Sequence, residues 1–423
     1  MLELSFIREN PQIVEADLKK RGNPERQKWF ADLLEQDRLW RSLKRESDEL
    51  RASRNALTKM IQAAKTAKKD VSALIQEAKD IPQKIKDKEA RMDEIRAKVD
   101  HYLMRLPNVL HEGVPVGHSD ADNVVVREWG KKKAFDFELK HHGQLAADLG
   151  IADFERAVKI AGAGFYFLKG DLALLDLALQ NLAVGMLVKK GYTLIYPPYM
   201  MRRKPYEGVT DLADFENVMY RCADDDLYMI ATSEHPMAAM HMDEVLEDIP
   251  LKYAGMSACF RREIGKHGLD ERGLFRVHQF NKIEQFIFCK PEDSWTFHEE
   301  LIANAEELMK ALEIPYHIVN VCTGDIGTVA AKKYDLEGWS PREAKYIELM
   351  SCSNCTSYQA TRLNIRYRDG NENRHLHTLN STMVATSRAL RLILENYQRK
   401  DGSVEIPLAL RPYMGGKTEI AKQ

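Results

Sequence analysis

The first hundred or so residues of this 423-residue chain restrict its fold more than any other part. Leu33, Trp40 and Ile61 fall on one seven-residue series, and Leu43, Leu50 and Leu57 on a second. Beyond the connection TAKKDVS, Leu74, Ile81, Ile95 and Tyr102 share a series, and Ala78, Ile85, Met92 and Val99 another. Paired apolar seams with charged residues between them specify coiled-coil packing. So short a connection folds the two long helices back as an antiparallel hairpin. Ser47 and Arg54 interrupt the first seam, and Pro82, which has no amide donor, is expected to kink or restart the second helix. Residues 26–100 hold 19 Lys or Arg against 14 Asp or Glu, a net of +5, which leaves −7 for the rest of a chain whose total is −2. Lys65, Lys68 and Lys69 sit at the tip of the hairpin. A basic arm on an acidic body fits a polyanionic partner, and on charge alone it fits a solvated face equally well.

LPNVLHEGVPVG at 106–117 is punctuated by proline and glycine and reads as the exit from the arm. The expected organisation is an arm over 1–106, a linker over 107–130 and a larger domain over 131–423. In that domain DLALLDLALQNLAVGMLVKKG (171–191) reads as an apolar helix closed by Gly191, and TLIYPPYM as a short strand stopped by prolines. Strand-like segments lie near 227–232, 251–263, 275–289, 314–322 and 345–351, with helices over 293–312 and 382–399. Strands so often adjacent, without a helix between each pair, predict an α+β class: a largely antiparallel sheet flanked by helices. The six cysteines form no disulfide framework, which points to a reducing, cytoplasmic setting. MLELSFIREN lacks a signal-peptide pattern and no apolar run approaches the ~20 residues of a membrane span, so no membrane is expected.

FRREIGKHGLDERGLFRVHQFNKIE, at 260–284, is the segment that asks for chemistry. Alternate residues of a strand share a face, so Arg261 and Glu263 fall together, as do Arg276, His278, Phe280, Lys282 and Glu284. If the glycine-bearing loop makes a hairpin, arginines, carboxylates and a ring converge on one patch. The plainer reading is an exposed sheet face with cross-strand ion pairs. Guanidiniums suit an oligophosphate and a carboxylate, a ring suits a purine, and acids hold an ammonium. Together they fit an amino acid beside ATP.

FRRE followed by RVHQF resembles motif 2 of the class II aminoacyl-tRNA synthetases. KKGYTLIYPP (189–198) is similar to their motif 1, and the run from Asn380 through Arg388 to Tyr397 resembles motif 3. Within that class the chain looks most like the seryl-tRNA synthetase family, through ATSEH (231–235), IELMSCSNCTSYQATR (347–362), HTLNSTMVATSRALRLILENYQ (377–398), the N-terminal hairpin and its LPN-x-x-HE exit. The resemblance covers essentially the whole chain. It implies a serine–tRNA ligase that makes seryl-adenylate from serine and ATP and passes the seryl group to the 3′ end of the serine tRNA, with the selenocysteine tRNA a further acceptor.

By the same resemblance Arg261 bridges the α-phosphate and the serine carboxylate, and Arg388 holds the distal phosphates. Phe280 stacks on adenine, with Arg262, Glu263 and Val277 nearby. Thr232, Ser233, Glu234 and Glu284 receive serine, and either Asn380 or Thr382 closes the far side. Glu348, Leu349, Met350 and Ser351 complete the ATP site, Glu348 and Ser351 as the implied Mg²⁺ ligands. The arm, with Lys65, Lys68 and Lys69, reaches the long variable arm of the tRNA in a homodimer. NST at 380–382 departs from the glycine-containing form of many bacterial relatives.

Three signals are set aside. Cys352-x-x-Cys355 with His375 and His377 matches no standard zinc module, so no structural zinc is expected. GGKT at 415–418 has Arg411 where a phosphate loop needs its first glycine. Trp29, Trp40 and Tyr102 are at helical spacing and read as hairpin core. Two other readings compete: a same-fold ligase acting on a carrier protein, whose kind lacks the long arm, and a non-catalytic RNA-binding paralogue, in which Arg261, Glu284, Glu348 or Arg388 should be damaged.

Overall fold

A computed structural model describes residues 1–211, 217–263 and 273–422 and divides the chain into two units, Leu2–Leu106 and Pro107–Gln423, the second including Met1. In the first, α1 (Pro24–Thr66) begins with Pro24 in its first turn and Asn23 accepting from the Arg26 amide at 3.1 Å. α2 (Ser72–Lys79) and α3 (Ile81–Leu103) return along it. The expected second helix is therefore two. Pro82 lies in the first turn of α3, where its missing donor costs nothing. Leu33, Leu57, Ile81, Ile85, Ile95 and Val99 of the seams are buried. Ser47 is buried as a small residue in the seam, while Arg54 turns outward. Asp37, 2% exposed, is compensated by Arg8 at 2.6 Å and Arg41 at 3.0 Å. Lys65, Lys68 and Lys69 are exposed at the turn.

The second unit is built on eight strands: β1 (Val124–Trp129), β2 (Thr193–Ile195), β3 (Leu251–Phe260), β4 (Gln279–Cys289), β5 (Tyr316–Asn320), β6 (Lys332–Ser340), β7 (Lys345–Asn354) and β8 (His377–Ala385). Their order across the sheet is β1-β5-β6-β7-β8-β4-β3-β2, antiparallel throughout except for the β2–β3 pair. α4 (Gly170–Lys189), α5 (Ser294–Ala311) and α6 (Thr386–Tyr397) share one core with the sheet. α4 is long and apolar enough to span a membrane by length and composition, against the sequence expectation. Here its Leu172, Leu175, Leu179, Ala183 and Leu187 are buried in that core.

β4 shows how alternation divides the two faces. Ile283, Ile287 and Cys289 enter the helix-side core, and Gln285 donates to the Leu301 carbonyl of α5 at 3.1 Å. Phe280, Lys282, Glu284, Phe286 and Phe288 take the opposite parity, and Phe286 and Phe288 join a second core there. Two sequence expectations are corrected. Residues 107–130 are not a free linker: Asn108 donates to the Val329 and Cys355 carbonyls at 3.0 and 2.8 Å, and β1 pairs along β5. β1 is exposed at almost every residue, so no alternation marked VVVREW as a strand. The segment 382–399 is not one helix, because β8 runs to Ala385 and α6 starts at Thr386. β6 and β8 had no counterpart among the expected strands.

Candidate active site

The polar face of the sheet forms a cleft whose walls include Arg261, Glu263, Val277, Phe280, Glu348, Leu349, Ser351, Thr382 and Arg388. Five further residues, Phe275, Arg276, Lys282, Ala385 and Ser387, also line it. The hairpin reading holds at its stem. The Arg261 amide donates to the His278 carbonyl at 2.9 Å, and Arg276 Nη1 meets Glu263 Oε2 at 3.0 Å. β3 ends at Phe260, so Arg261 and Glu263 lie just beyond the strand expected to hold them, and Glu263 takes φ +38°. Residues 264–272 of that loop lie outside the described residues. Arg261 lies with its guanidinium carbon 5.5 Å from the Phe280 ring centre and its Nε 3.4 Å from the Ala231 carbonyl.

Two bulges aim side chains into the cleft. The β6–β7 register slips at Leu349, so Glu348 and Ser351, three residues apart, both reach it. The β8–β4 register slips at Met383 and brings Thr382 and Ala385 to the same wall. Arg388 of α6 lies 3.3 Å from the Glu348 carboxylate and stacks over Phe275 at 5.4 Å. That guanidinium holds the Glu348 carboxyl below its usual range. One turn on, Arg391 is 1% exposed, bonded to Glu343 and to Glu395 at 2.9 Å, and its guanidinium carbon lies 4.4 Å from the centre of the same Phe275 ring. Burial alone would raise Glu395, but His142, Arg391 and Ser340 prevail and hold it at about 2. This ionic knot anchors α6 and hence Arg388.

An adjoining recess shares Ser351 and is lined by Thr210, Asp211, Glu234, Thr328 and Asn380. Glu234 Oε1 accepts from Asn380 Nδ2 at 3.1 Å and Gln359 Nε2 at 3.0 Å. Burial, reinforced by the Glu284 charge, pushes its carboxyl up to about 7. Glu284, 1% exposed, stands directly opposite both Gly255 and Thr382 in the sheet. Burial raises its carboxyl too, against the ammonium of Lys282. Lys282 Nζ lies 2.5 Å from Glu284 Oε2 and 3.1 Å from Thr232 Oγ1. Ser233 is buried and donates to the Gly255 carbonyl at 3.2 Å. Only glycine admits it so close: a Cβ at 255 would stand 2.7 Å from Ser233 Oγ and 2.5 Å from Met237 Cε.

Three residues of the expected constellation lie elsewhere. Met350 is buried in the helix-side core, because the Leu349 bulge turns it away. Arg262 is exposed and absent from the cleft walls. His278 stacks on Phe165 at 5.0 Å and bonds Tyr220 at 2.8 Å. Asn380 and Thr382 are both placed, the first on Glu234 and the second beside Glu284. Sequence reasoning missed Gln359, Phe275 and Arg391. Gln359 lies in the quoted SYQATR, but no periodicity ties it to Glu234. The thiols of Cys352 and Cys355 face different partners, the His298 carbonyl at 3.6 Å and the Asn380 amide at 3.6 Å. His375 and His377 bond the Ile365 carbonyl and the Ser294 hydroxyl.

An antiparallel sheet carrying arginines from a strand hairpin and from a following helix defines the class: residues 218–397 match the tRNA synthetase class II core domain (G, H, P, S and T), and residues 1–110 match the seryl-tRNA synthetase N-terminal domain. The chain is 61% identical to the serine–tRNA ligase of Methanocella arvoryzae across 98% of its length and 99% of that protein. The crystal structure of seryl-tRNA synthetase from Pyrococcus horikoshii complexed with ATP superposes with a TM-score of 0.97 at 46% identity, covering 100% of both chains. That of the cytoplasmic serine–tRNA ligase of Naegleria fowleri in complex with AMP gives 0.88 at 36%, covering 98% of this chain and 96% of that one. The chain belongs to the seryl-tRNA synthetase family.

Proposed function

We propose that the cleft activates serine with ATP and then charges the serine tRNA. The observation that carries this reading is the meeting of Arg261, Phe280, Glu348 and Arg388 in one cleft, beside a recess holding Glu234 and Asn380. A serine carboxylate oxygen attacks the α-phosphorus, pyrophosphate leaves, and seryl-adenylate forms. The terminal ribose hydroxyl of the tRNA then attacks the seryl carbonyl and releases AMP. Arg261 neutralises the carboxylate and α-phosphate as they close on one another. Arg388, with Arg276 on the same wall, takes the charge of the distal phosphates. Phe280 carries the adenine. Neither step needs a strong acid or base, so positioning and charge neutralisation supply most of the rate.

Thr232, Ser233, Glu234 and Glu284 form the amino acid end, with Thr382 and Asn380 closing it. A site that hydrogen-bonds a hydroxyl rejects alanine because its own polar groups would be left unpaired. Glu348 and Ser351 fit Mg²⁺, being hard oxygen donors turned to one face with the carboxylate held ionised. When bound there, a divalent ion neutralises phosphate charge, and a site of one carboxylate plus substrate oxygens is ordinary for magnesium. The helical arm grips the long variable arm of the tRNA through backbone contacts that include Lys65, Lys68 and Lys69. The exposed Leu174, Leu177 and Val188 of α4 are the pairing face of a homodimer, whose mass sedimentation would report. Six free cysteines suit the cytoplasm. Pyrophosphate exchange with each of the twenty amino acids, with and without tRNA, tests the assignment, and exchange that does not single out serine would refute it.

A further inference from the structure

Lys282 is a residue for which the reaction above has no use. It is 6% exposed and lines the cleft, whereas Glu284, 1% exposed, does not form part of the wall. Its Nζ is held by Glu284 Oε2 at 2.5 Å and Thr232 Oγ1 at 3.1 Å, two of the groups assigned to serine. Among the described residues, Glu234 and Arg261 also act electrostatically on this cluster, as does the neutral pair His235 and Cys259 beside it. With both acids ionised, two carboxylates face two cations and the amino acid end is electrically neutral before any ligand arrives.

We propose that Lys282 is a specificity-determining residue that holds the seat of the substrate ammonium and sets the charge of the amino acid end, so that the site admits zwitterions and disfavours simple amines. A ligand with both ammonium and carboxylate enters a neutral cluster without adding net charge, whereas an amine alone adds a cation beside Lys282. In an interior of low polarizability that difference is large. Replacing Lys282 by a neutral residue leaves the cluster with an excess negative charge, which a simple cation relieves. The inference rests on the serine-activating reading of the same site.

Ethanolamine, which is serine without its carboxylate, is the probe. Binding of serine and of ethanolamine to the full-length protein is measured calorimetrically at pH 8, with serine-dependent pyrophosphate exchange alongside, for the unaltered protein and for Lys282→Met, Lys282→Gln and Lys282→Arg. The expected result is a preference for serine that falls by about tenfold or more in Lys282→Met, an ATP KM within about twofold of the unaltered value, and retention of the preference in Lys282→Arg. Lys282→Gln, able to keep a bond to Thr232, carries the same expectation as Lys282→Met and replaces it if that variant does not fold. An unchanged serine-to-ethanolamine ratio in the neutral variants, whatever their loss of activity, overturns the proposal. So does a loss of preference in Lys282→Arg as large as in Lys282→Met. Serine binding without exchange in the unaltered protein would overturn the activation reading and leave the ratio readable. Binding of neither ligand would overturn both.

Discussion

Arg388 Nη1 donates to the main-chain carbonyl of Glu348 at 2.9 Å and lies 3.3 Å from its carboxylate, joining a helix to a strand forty residues earlier. The pair keeps an arginine and an ionised acid poised at one end of the cleft, and Arg261 adds to the field on the same carboxylate.

Arg388→Ala and Arg261→Ala should each abolish measurable serine-dependent pyrophosphate exchange while leaving the fold intact. Each removes a charge-assisted contact at the phosphates, at a cost of about 2–4 kcal/mol in the barrier. Exchange rates and thermal midpoints measured side by side decide it. Near-normal exchange in both variants would remove their assigned roles.

Gly255→Ala should be destabilising by about 1–3 kcal/mol, because the new methyl meets Ser233 Oγ and Met237 within 2.7 Å. The displaced segment carries Thr232 and Glu234, so the serine KM should rise more than the ATP KM. Urea unfolding and steady-state exchange report the two effects, and an unaltered serine KM would show that the close approach does not position the acids.

Glu234 predicts a pH dependence with a definite sign. Its folded pKa of about 7 lies above the unfolded value, so the neutral carboxyl favours the fold. That contribution is complete below the ordinary carboxylate range and is lost as pH rises through about 7. The ligand-free protein should lose stability from pH 5 to 8 relative to Glu234→Gln, and its serine KM should fall over the same rise as the acid ionises. Parallel stability curves for the two proteins would contradict the assignment.

Replacing residues 30–98 with a short linker should spare pyrophosphate exchange and greatly reduce tRNA charging, in a manner steeply dependent on salt in the intact protein. The grounds are the +5 balance and the exposed lysines at the turn. Changing the tRNA anticodon should matter little. Normal charging of full-length tRNA by the armless protein would leave the arm without its assigned partner.

What the sequence by itself determined is whatever rests on short-range repetition. The heptad seams specify the helical arm because Leu33, Leu57, Ile85, Ile95 and Val99 recur at the period that buries them. Alternation along β4 puts Phe280, Lys282 and Glu284 on one face for the same reason. Only the tertiary structure decided where that order breaks. The bulge at Met383 depends on β4, far earlier in the chain, and that at Leu349 on its register against β6, so Ser351 enters the cleft and Met350 leaves it without any sign in the alternation. Strand β8, central to the sheet, is held by pairing with β4 far earlier in the chain, and β6 lies between its neighbours β5 and β7; alternation announces neither. Val124–Trp129, at the end of the linker expected over 107–130, is an edge strand because β5 offers it hydrogen bonds. Lys282 shows the same division most sharply. Its side of the strand, and its nearness to Glu284 two residues on, follow from parity, but its bond to Thr232 arises only where the 231–234 segment meets β4.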